Sequence, residues 1–410
     1  MSSNPARTVL KIKSYRAFLG TRLFLTLGFQ MQAVLVGWRI FELTKNPLSL
    51  GLIGLAEAIP ALSVALYAGH LADIKNKKKI LLICLTGLII SSIGLFLSNS
   101  SLLQIQNESR VLFMYFFIFT SGIARGFYAP SSFSIIPKLV PKDLLVNAGT
   151  LNSTVWQFAA VVGPAIGGLI YAFGGIDLSF GIIICFMLIG FFNLTRVHGD
   201  FSPSGGQTEG IALRLKEGIS FVFNNKVILS ALSLDLFSVL FGGAVALLPV
   251  FANEILKVGP EGLGILRAAP SLGAVITMSF LSINKAIPQP GKILIAAVAG
   301  FGICMIGFGL SESFILSIIL LFLSGAFDSV SVVIRSNILQ LQTPDHMRGR
   351  VSAVNTMFIG SSNEIGAFES GLAAKLMGTV PSVVFGGIMT LAIVGITQVK
   401  ARALKNLKFE

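Results

Sequence analysis

Twelve apolar runs, each long enough to cross a bilayer, take up most of this 410-residue chain. They cover 16–43, 49–71, 80–98, 111–136, 145–173, 178–195, 227–255, 262–283, 292–310, 313–340, 349–377 and 381–399. A span needs about 20 mostly apolar residues. Inside hydrocarbon the backbone must satisfy its own polar groups, so runs of this length are predicted to be helices. Barrel strands would instead alternate over about 10 residues. Charged residues make up 12% of the chain, against about 25% in a soluble domain. Such a chain cannot cover a water-facing surface and uses lipid as part of its solvent. The fold class is all-α integral membrane, with twelve transmembrane helices.

The formal net charge of +13 first suggests nucleic acid, but its distribution excludes that partner. Of the 31 Lys and Arg, 22 fall on segments that are cytoplasmic if the N-terminus is inside. Five lie on the opposite side and four within spans. That asymmetry predicts cytoplasmic termini, and the excess adds a minor attraction to anionic lipid. The first 15 residues are polar and basic and the first run is long enough to span, so no cleavable signal peptide is expected. Cys84, Cys185 and Cys304 are isolated in apolar runs, and His70, His198 and His346 fall in or near cytoplasmic loops. No Cys/His spacing suits a metal or a disulfide framework. No Walker A loop, G-x-S-x-G or HExxH occurs, so no cofactor and no enzyme activity are expected.

The longest polar stretch, His198 to Asn225, divides the chain into six runs and six runs. It contains Pro203, Gly205 and Gly206, then Ile211 to Glu217, which reads as a linker followed by a short amphipathic helix at the membrane surface. The expected domains are therefore 1–197, a linker 198–225, and 226–410. The halves repeat. At an offset of 203, Gly122 meets Gly325, Pro141 meets Pro344, Asn152 meets Asn355 and Gly163 meets Gly366. At an offset of 210, Phe41 meets Phe251, Gly54 meets Gly264, Pro60 meets Pro270 and Leu62 meets Leu272. Parallel six-helix repeats place a substrate site near the bilayer midplane between pseudo-symmetric bundles.

Four stretches are distinctive. The loop after the second run reads Gly69-His70-Leu71-Ala72-Asp73 and continues to Lys75, Lys77, Lys78 and Lys79. The fifth run holds Gly163-Pro164-Ala165-Ile166-Gly167-Gly168. Trp38 to Thr44 precedes Pro47 to Leu52, and Leu339-Gln340-Leu341-Gln342-Thr343-Pro344 is followed by Met347-Arg348-Gly349-Arg350. Together they resemble the major facilitator superfamily, in its drug and siderophore exporter branch with the enterobactin exporter and macrolide efflux proteins. The resemblance covers nearly the whole chain. It implies two six-helix bundles, a monomeric carrier and a bacterial inner membrane location. Asp73 becomes a gate latch against the start of helix 11, where Arg348 and Arg350 lie, and Gly69 and Lys77 belong to the same gate. Here Ile74 replaces the usual basic residue, and Asn76 stands at the usual Gly position, where it also tolerates a left-handed turn. The alternative is an ordinary basic loop. Gly163, Pro164, Gly167 and Gly168 match an antiporter signature that packs on helix 8, whose Gly262, Gly264, Pro270 and Gly273 would face it. Plain helix packing would use the same small residues.

Charges inside spans are costly and are functional candidates by default. They are Arg22, Glu57, Arg125, Asp235, Arg267, Asp328, Arg335, Glu364 and Glu369. Arg125 and Asp328 are repeat mates of opposite charge, as are Glu57 and Arg267. The implied fold lines its cavity with helices 1, 4, 7 and 10, so Arg125 and Asp328 should face one another. Arg335 lies two helical turns from Asp328 and is a second basic partner. Asp328 is the leading proton-coupling candidate, with Arg125 modulating it; the alternative is a static buried pair. Glu57, Asp235 and Glu364 are further proton candidates. Glu364 should reach Glu57 or the surface of helix 2. Relatives carry an acid in helix 4 where this chain has Arg125. For the substrate cavity, Arg22, Gln30 and Gln32 on helix 1, Asn152, Trp156 and Gln157 on helix 5, and Asn337 and Gln340 on helix 10 suit a large, partly polar ligand. About half of these polar residues are expected in interhelical hydrogen bonds instead. The sequence therefore predicts proton-coupled export of a siderophore or drug-like compound. A lipid or lysophospholipid flippase, or a symporter on the same fold, is the alternative.

Overall fold

The computed structural model describes the backbone of residues 5–100, 105–201, 211–283, 289–344 and 347–407. Within these it describes all side chains except those of residues 5–7, 66, 70, 72, 73, 211–215, 282 and 283. Twelve long helices follow a short one at Pro5–Lys11: α1 Lys13–Thr44, α2 Pro47–Ile74, α3 Lys77–Asn99, α4 Asn107–Leu139, α5 Leu145–Thr195, α6 Ile211–Asn224, α7 Lys226–Phe241, α8 Gly259–Ile283, α9 Pro290–Leu310, α10 Phe314–Gln342, α11 Arg348–Met377 and α12 Thr379–Lys400. Among the described residues, 10 helical segments are long and apolar enough to cross a membrane. Short polar caps punctuate them. Asn225 accepts from the Val227 and Ile228 amides at the start of α7, and Pro290 opens α9 where its missing donor costs nothing.

The runs 145–173 and 178–195 are two helices that meet at Gly175, whose non-helical φ of 70° and ψ of −172° only glycine adopts at no steric cost; the two share the label α5. Two expectations change. The run 227–255 is broken. α7 stops at Phe241, Gly242 and Gly243 interrupt it, and the chain resumes through 3-10 and π turns at Ala244–Leu247 and Phe251–Ile255. At the break only glycine fits. A Cβ on Gly243 would lie 3.1 Å from the Gly366 carbonyl oxygen, and one on Gly242 2.6 Å from the Ser238 carbonyl oxygen. Finally, α11 is long enough to span, but it carries Glu364, Glu369 and Lys375 and falls outside the apolar set.

The chain divides into two units, Met1–Leu43 with Ala56–Thr208, and Thr44–Leu55 with Glu209–Glu410. The repeat seen in the sequence is a repeat of close approaches inside each unit. In the first, Gly122 of α4 lies against the Glu57 carbonyl and Pro60 of α2. In the second, its mate Gly325 of α10 lies against Pro270 of α8, the mate of Pro60. Gly163 of α5 lies against Leu27 and Gln30 of α1, and its mate Gly366 of α11 against Val239 and Leu240 of α7. Glycine at these crossings lets backbones touch, and without a hydrophobic drive between helices in lipid that contact supplies much of the packing energy. The opening turns of α2 belong to the second unit, where Gly51 and Gly54 rest on Ala367, Phe368 and the Glu364 carboxylate of α11.

Candidate functional site

The charges within the spans sort into pairs. In the first unit, Arg125 of α4 forms an ion pair with Glu57 of α2, and its guanidinium lies 5.2 Å from the Phe29 ring centroid on α1. Glu57 comes within reach because the α2–α4 crossing at Pro60 and Gly122 is tight. The ring face adds a cation–π contact that an aliphatic residue could not offer. In the second unit, Arg335 of α10 pairs with Asp235 of α7, and both residues are buried, at 4% and 7% exposure. Arg335 is thus held by α7, not by Asp328 two turns up its own helix. Arg267 of α8 interacts electrostatically with Glu364 of α11. Glu364 lies on the helix 2 surface at Gly54, one of the two positions expected for it. Asp328 is half-buried and makes no hydrogen bond or ion pair among the described residues.

The polar candidates divide in the same way. Gln32 is buried and accepts a hydrogen bond from Ser92 of α3 at 2.7 Å, which makes it an interhelical strut. Gln30 packs its stem on Gly163. Gln340 is exposed and bonds Ser336 on its own helix. Asn337 and Gln157 are half-buried, and Trp156 is 42% exposed. Arg22 Nε and Asn152 Oδ1 are buried without a hydrogen-bond partner.

Of the gate residues, the Asp73 side chain lies outside the described residues. A Cβ on Gly69 would meet no described atom within 4 Å. Asn76 is extended (φ −65°, ψ 113°) and not left-handed; its side chain caps α3 by accepting from the Lys79 amide at 3.1 Å. Lys77 is buried, and Lys78 donates to the Thr195 carbonyl at the end of α5, where the helix dipole favours a cation. Arg348 is exposed. Arg350 forms an ion pair with Glu217 of α6, which docks that amphipathic helix on the first turn of α11. The glycines of the fifth run face α1: Gly163 meets Leu27 and Gln30, and Gly167 meets Met31, while Pro164 and Gly168 are buried beside them. On α8, Gly273 and Pro270 abut α10 and Gly262 abuts Val258.

Sequence reasoning missed one polar network. Arg39 donates to Asn99 at 3.2 Å and to Glu42 at 2.6 Å, and Arg110 donates to the Asn99 carbonyl at 3.0 Å. Its signal is the Trp38–Thr44 stretch, which alone does not reveal Asn99 as the hub. Tyr128 and Ser131 were also missed, since a tyrosine and a serine in apolar runs carry no pattern. Among the described residues no cluster of three metal-ligating side chains occurs.

A family model described as transmembrane secretion effector matches residues 6–408. The enterobactin exporter EntS of Shigella boydii serotype 18 (strain CDC 3083-94 / BS512) is 27% identical over 329 residues, covering 79% of this chain and 76% of the exporter. The EntS of Shigella boydii serotype 4 (strain Sb227) is 26% identical over 387 residues, covering 93% and 90%. Among solved structures, a D-xylose–proton symporter superposes with a TM-score of 0.72 at 14% identity, covering 96% of this chain and 99% of the symporter. A bacterial homologue of the iron transporter ferroportin, in an inward-facing state, gives 0.71 at 13%, covering 96% and 99%. These two likenesses establish the fold alone.

Proposed function

Because the chain belongs to the transmembrane secretion effector family, we propose that it is a secondary active exporter that exchanges an amphipathic small molecule, a siderophore or drug-like compound, for protons by alternating access. It is a multi-pass membrane transporter of major facilitator type. In this reading it crosses a bacterial inner membrane twelve times: α5 crosses twice about Gly175, and α11 crosses despite its charges. Both termini lie in the cytoplasm, on the side of the basic loops, and the carrier acts as a monomer. Its partners are the substrate, protons and the lipid bilayer.

The observation that carries this reading is Asp328. Arg125, Arg335 and Arg267 each have an acidic partner, Glu57, Asp235 and Glu364. Asp328, midway along α10, has none among the described residues. A carboxylate with no fixed cation can take up and release a proton without breaking an ion pair, which suits a residue that cycles once per turnover. Glu369, near the end of α11, also lacks a partner among the described residues, but it lies two turns from the helix terminus. Arg125 pairs with Glu57 and holds α2 and α4 together, and in this reading it modulates Asp328.

The test uses purified protein in liposomes with an imposed pH gradient. Internal pH is recorded while enterobactin, a macrolide, a cationic dye and a lysolipid are added in turn. The expected result is proton movement dependent on one compound and lost in Asp328→Asn. Compound-dependent proton movement that survives Asp328→Asn removes Asp328 from the coupling role. No proton movement with any compound removes proton exchange.

A further inference from the structure

Arg22 is the one arginine of the four within the spans that has no hydrogen bond or ion pair among the described residues. Its Nε is fully buried and unsatisfied. Three more buried polar atoms of the same unit are also orphaned: Tyr128 Oη and Ser131 Oγ on α4, and Asn152 Oδ1 on α5. Tyr128 is 6% exposed and Ser131 0%.

Helix register puts these groups at one level. On α1 and α5, Tyr15 donates to the Ala148 carbonyl at 2.6 Å, and Gly163 lies against Leu27 and Gln30. The two helices therefore run parallel, and Arg22 falls opposite Val155 and Trp156, one turn from Asn152. α4 turns back into α5 through Lys142–Leu144, so it runs antiparallel to α1. Arg125 lies over Phe29. Seven residues earlier on α1, about 10 Å along the axis, Arg22 is level with Ser132, one turn from Tyr128; Ser131 is in register with Thr120 and Ala124, which meet Ser91 and Gly87 of α3, so it lies off this face.

A buried polar group without a partner is destabilising, because it has given up its water without gaining a hydrogen bond. None of these four atoms satisfies another, although their helices bring them to the same depth. The second unit sharpens the contrast. Ser331 Oγ and Asn355 Oδ1, the mates of Tyr128 and Asn152 at offset 203, are orphaned there too. Arg22 has no counterpart there: its mate at offset 210 is Leu232, and Arg335 is held by Asp235.

We infer that Arg22, Tyr128 and Asn152 form an anion-recognition site for the acidic head of an amphipathic organic acid. The guanidinium takes an anionic oxygen, the Tyr128 hydroxyl donates to it, and the Asn152 carbonyl oxygen accepts from a neighbouring hydroxyl or amide of the same ligand. The inference names the class of cargo for the exporter reading above and rests on that reading only for the ligand's fate.

The chain has 2 tryptophans, Trp38 and Trp156, and Trp156 lies at the level of Arg22. In a Trp38→Phe background in nanodiscs, energy transfer from Trp156 to pyrene is titrated with 1-pyrenebutyrate and with its methyl ester. Empty nanodiscs correct for partitioning. The acid is expected to saturate at a concentration at least about tenfold below the ester, as loss of a charge-assisted pair predicts. Arg22→Gln should erase the difference and Arg22→Lys should keep part of it. Tyr128→Phe removes an orphan, so the ligand-free protein should melt no lower while acid binding weakens several-fold. Equal titrations for acid and ester overturn the site, as does an unchanged acid-to-ester ratio in Arg22→Gln or, if that variant does not fold, in Tyr128→Phe. Binding is read without a gradient, so failed proton exchange in liposomes leaves this result standing, and equal titrations leave proton-coupled export untouched.

Discussion

Asp235→Asn should destabilise the protein by about 3–5 kcal/mol, the usual cost of breaking a buried ion pair. Arg335 and Asp235 are 4% and 7% exposed, so solvent cannot replace the lost charge. Two unit charges 4 Å apart attract by about 4 kcal/mol at an effective dielectric of 20. The amide keeps an acceptor for the guanidinium, which recovers part of that, while the stranded cation adds a desolvation cost. These opposing contributions keep the expected loss at the lower end, about 3 kcal/mol. Replacing both residues at once, Asp235→Leu with Arg335→Met, removes the stranded charge and should come within about 1 kcal/mol of the parent. The assay is reversible unfolding in mixed micelles over a denaturing-detergent series, followed by helical circular dichroism. A double-mutant cycle then isolates the pair. If Asp235→Asn unfolds within 1 kcal/mol of the parent, or the double variant is no better than the single, the pair is not the static brace described here. Asp235 would then return as a proton carrier.

The remaining predictions concern packing and capping, read as shifts in the same unfolding series. Gly122→Ala and Gly325→Ala should each cost about 1–3 kcal/mol, because the added methyl meets backbone carbonyls at Glu57 and Pro270. Gly69→Ala and Gly349→Ala, with no described atom within 4 Å, should be neutral or stabilise by up to about 1 kcal/mol. Asn76→Ala should cost about 1 kcal/mol by removing the α3 cap, whereas Asn76→Gly should cost only a few tenths.

Much of this architecture is legible in the sequence because lipid imposes a coarse code. Length and apolarity locate the helices to within a turn, and the glycine and proline mates mark real crossings because only those residues admit backbone contact. The break at Gly242–Gly243 is hidden: both flanks are apolar, so the run 227–255 looks uninterrupted, and the cause lies on α9, α11 and α12. Ion-pair partners are hidden for a related reason. A periodicity argument sees Asp328 two turns from Arg335 on one helix, yet a guanidinium reaches across to α7 as readily as along α10. Charge symmetry between repeats singles out Arg125, Glu57, Arg267 and Asp328 but cannot say that Glu364 takes Arg267. Gly163 and Gly167 are identified as a groove, while the helix that meets them, α1, is set by tertiary register. Arg22 stands out by charge, but the burial of Tyr128 is invisible in the sequence.

A helix that stops and restarts transmits no torque along its axis. The interruption at Gly242 and Gly243 leaves Asp235 on a short lever, Lys226–Phe241, anchored at one end by the Asn225 cap and clamped to α10 through Arg335. The chain beyond, from Ala244 to Ile255, is wound in 3-10 and π turns and packs through Phe251 against Phe308 of α9, ring centroids 4.5 Å apart. The helical hydrogen-bond ladder is therefore interrupted at the two glycines, and this crossing consists of two separately anchored segments, one tied to α10 through the ion pair and the other to α9 through the ring stack.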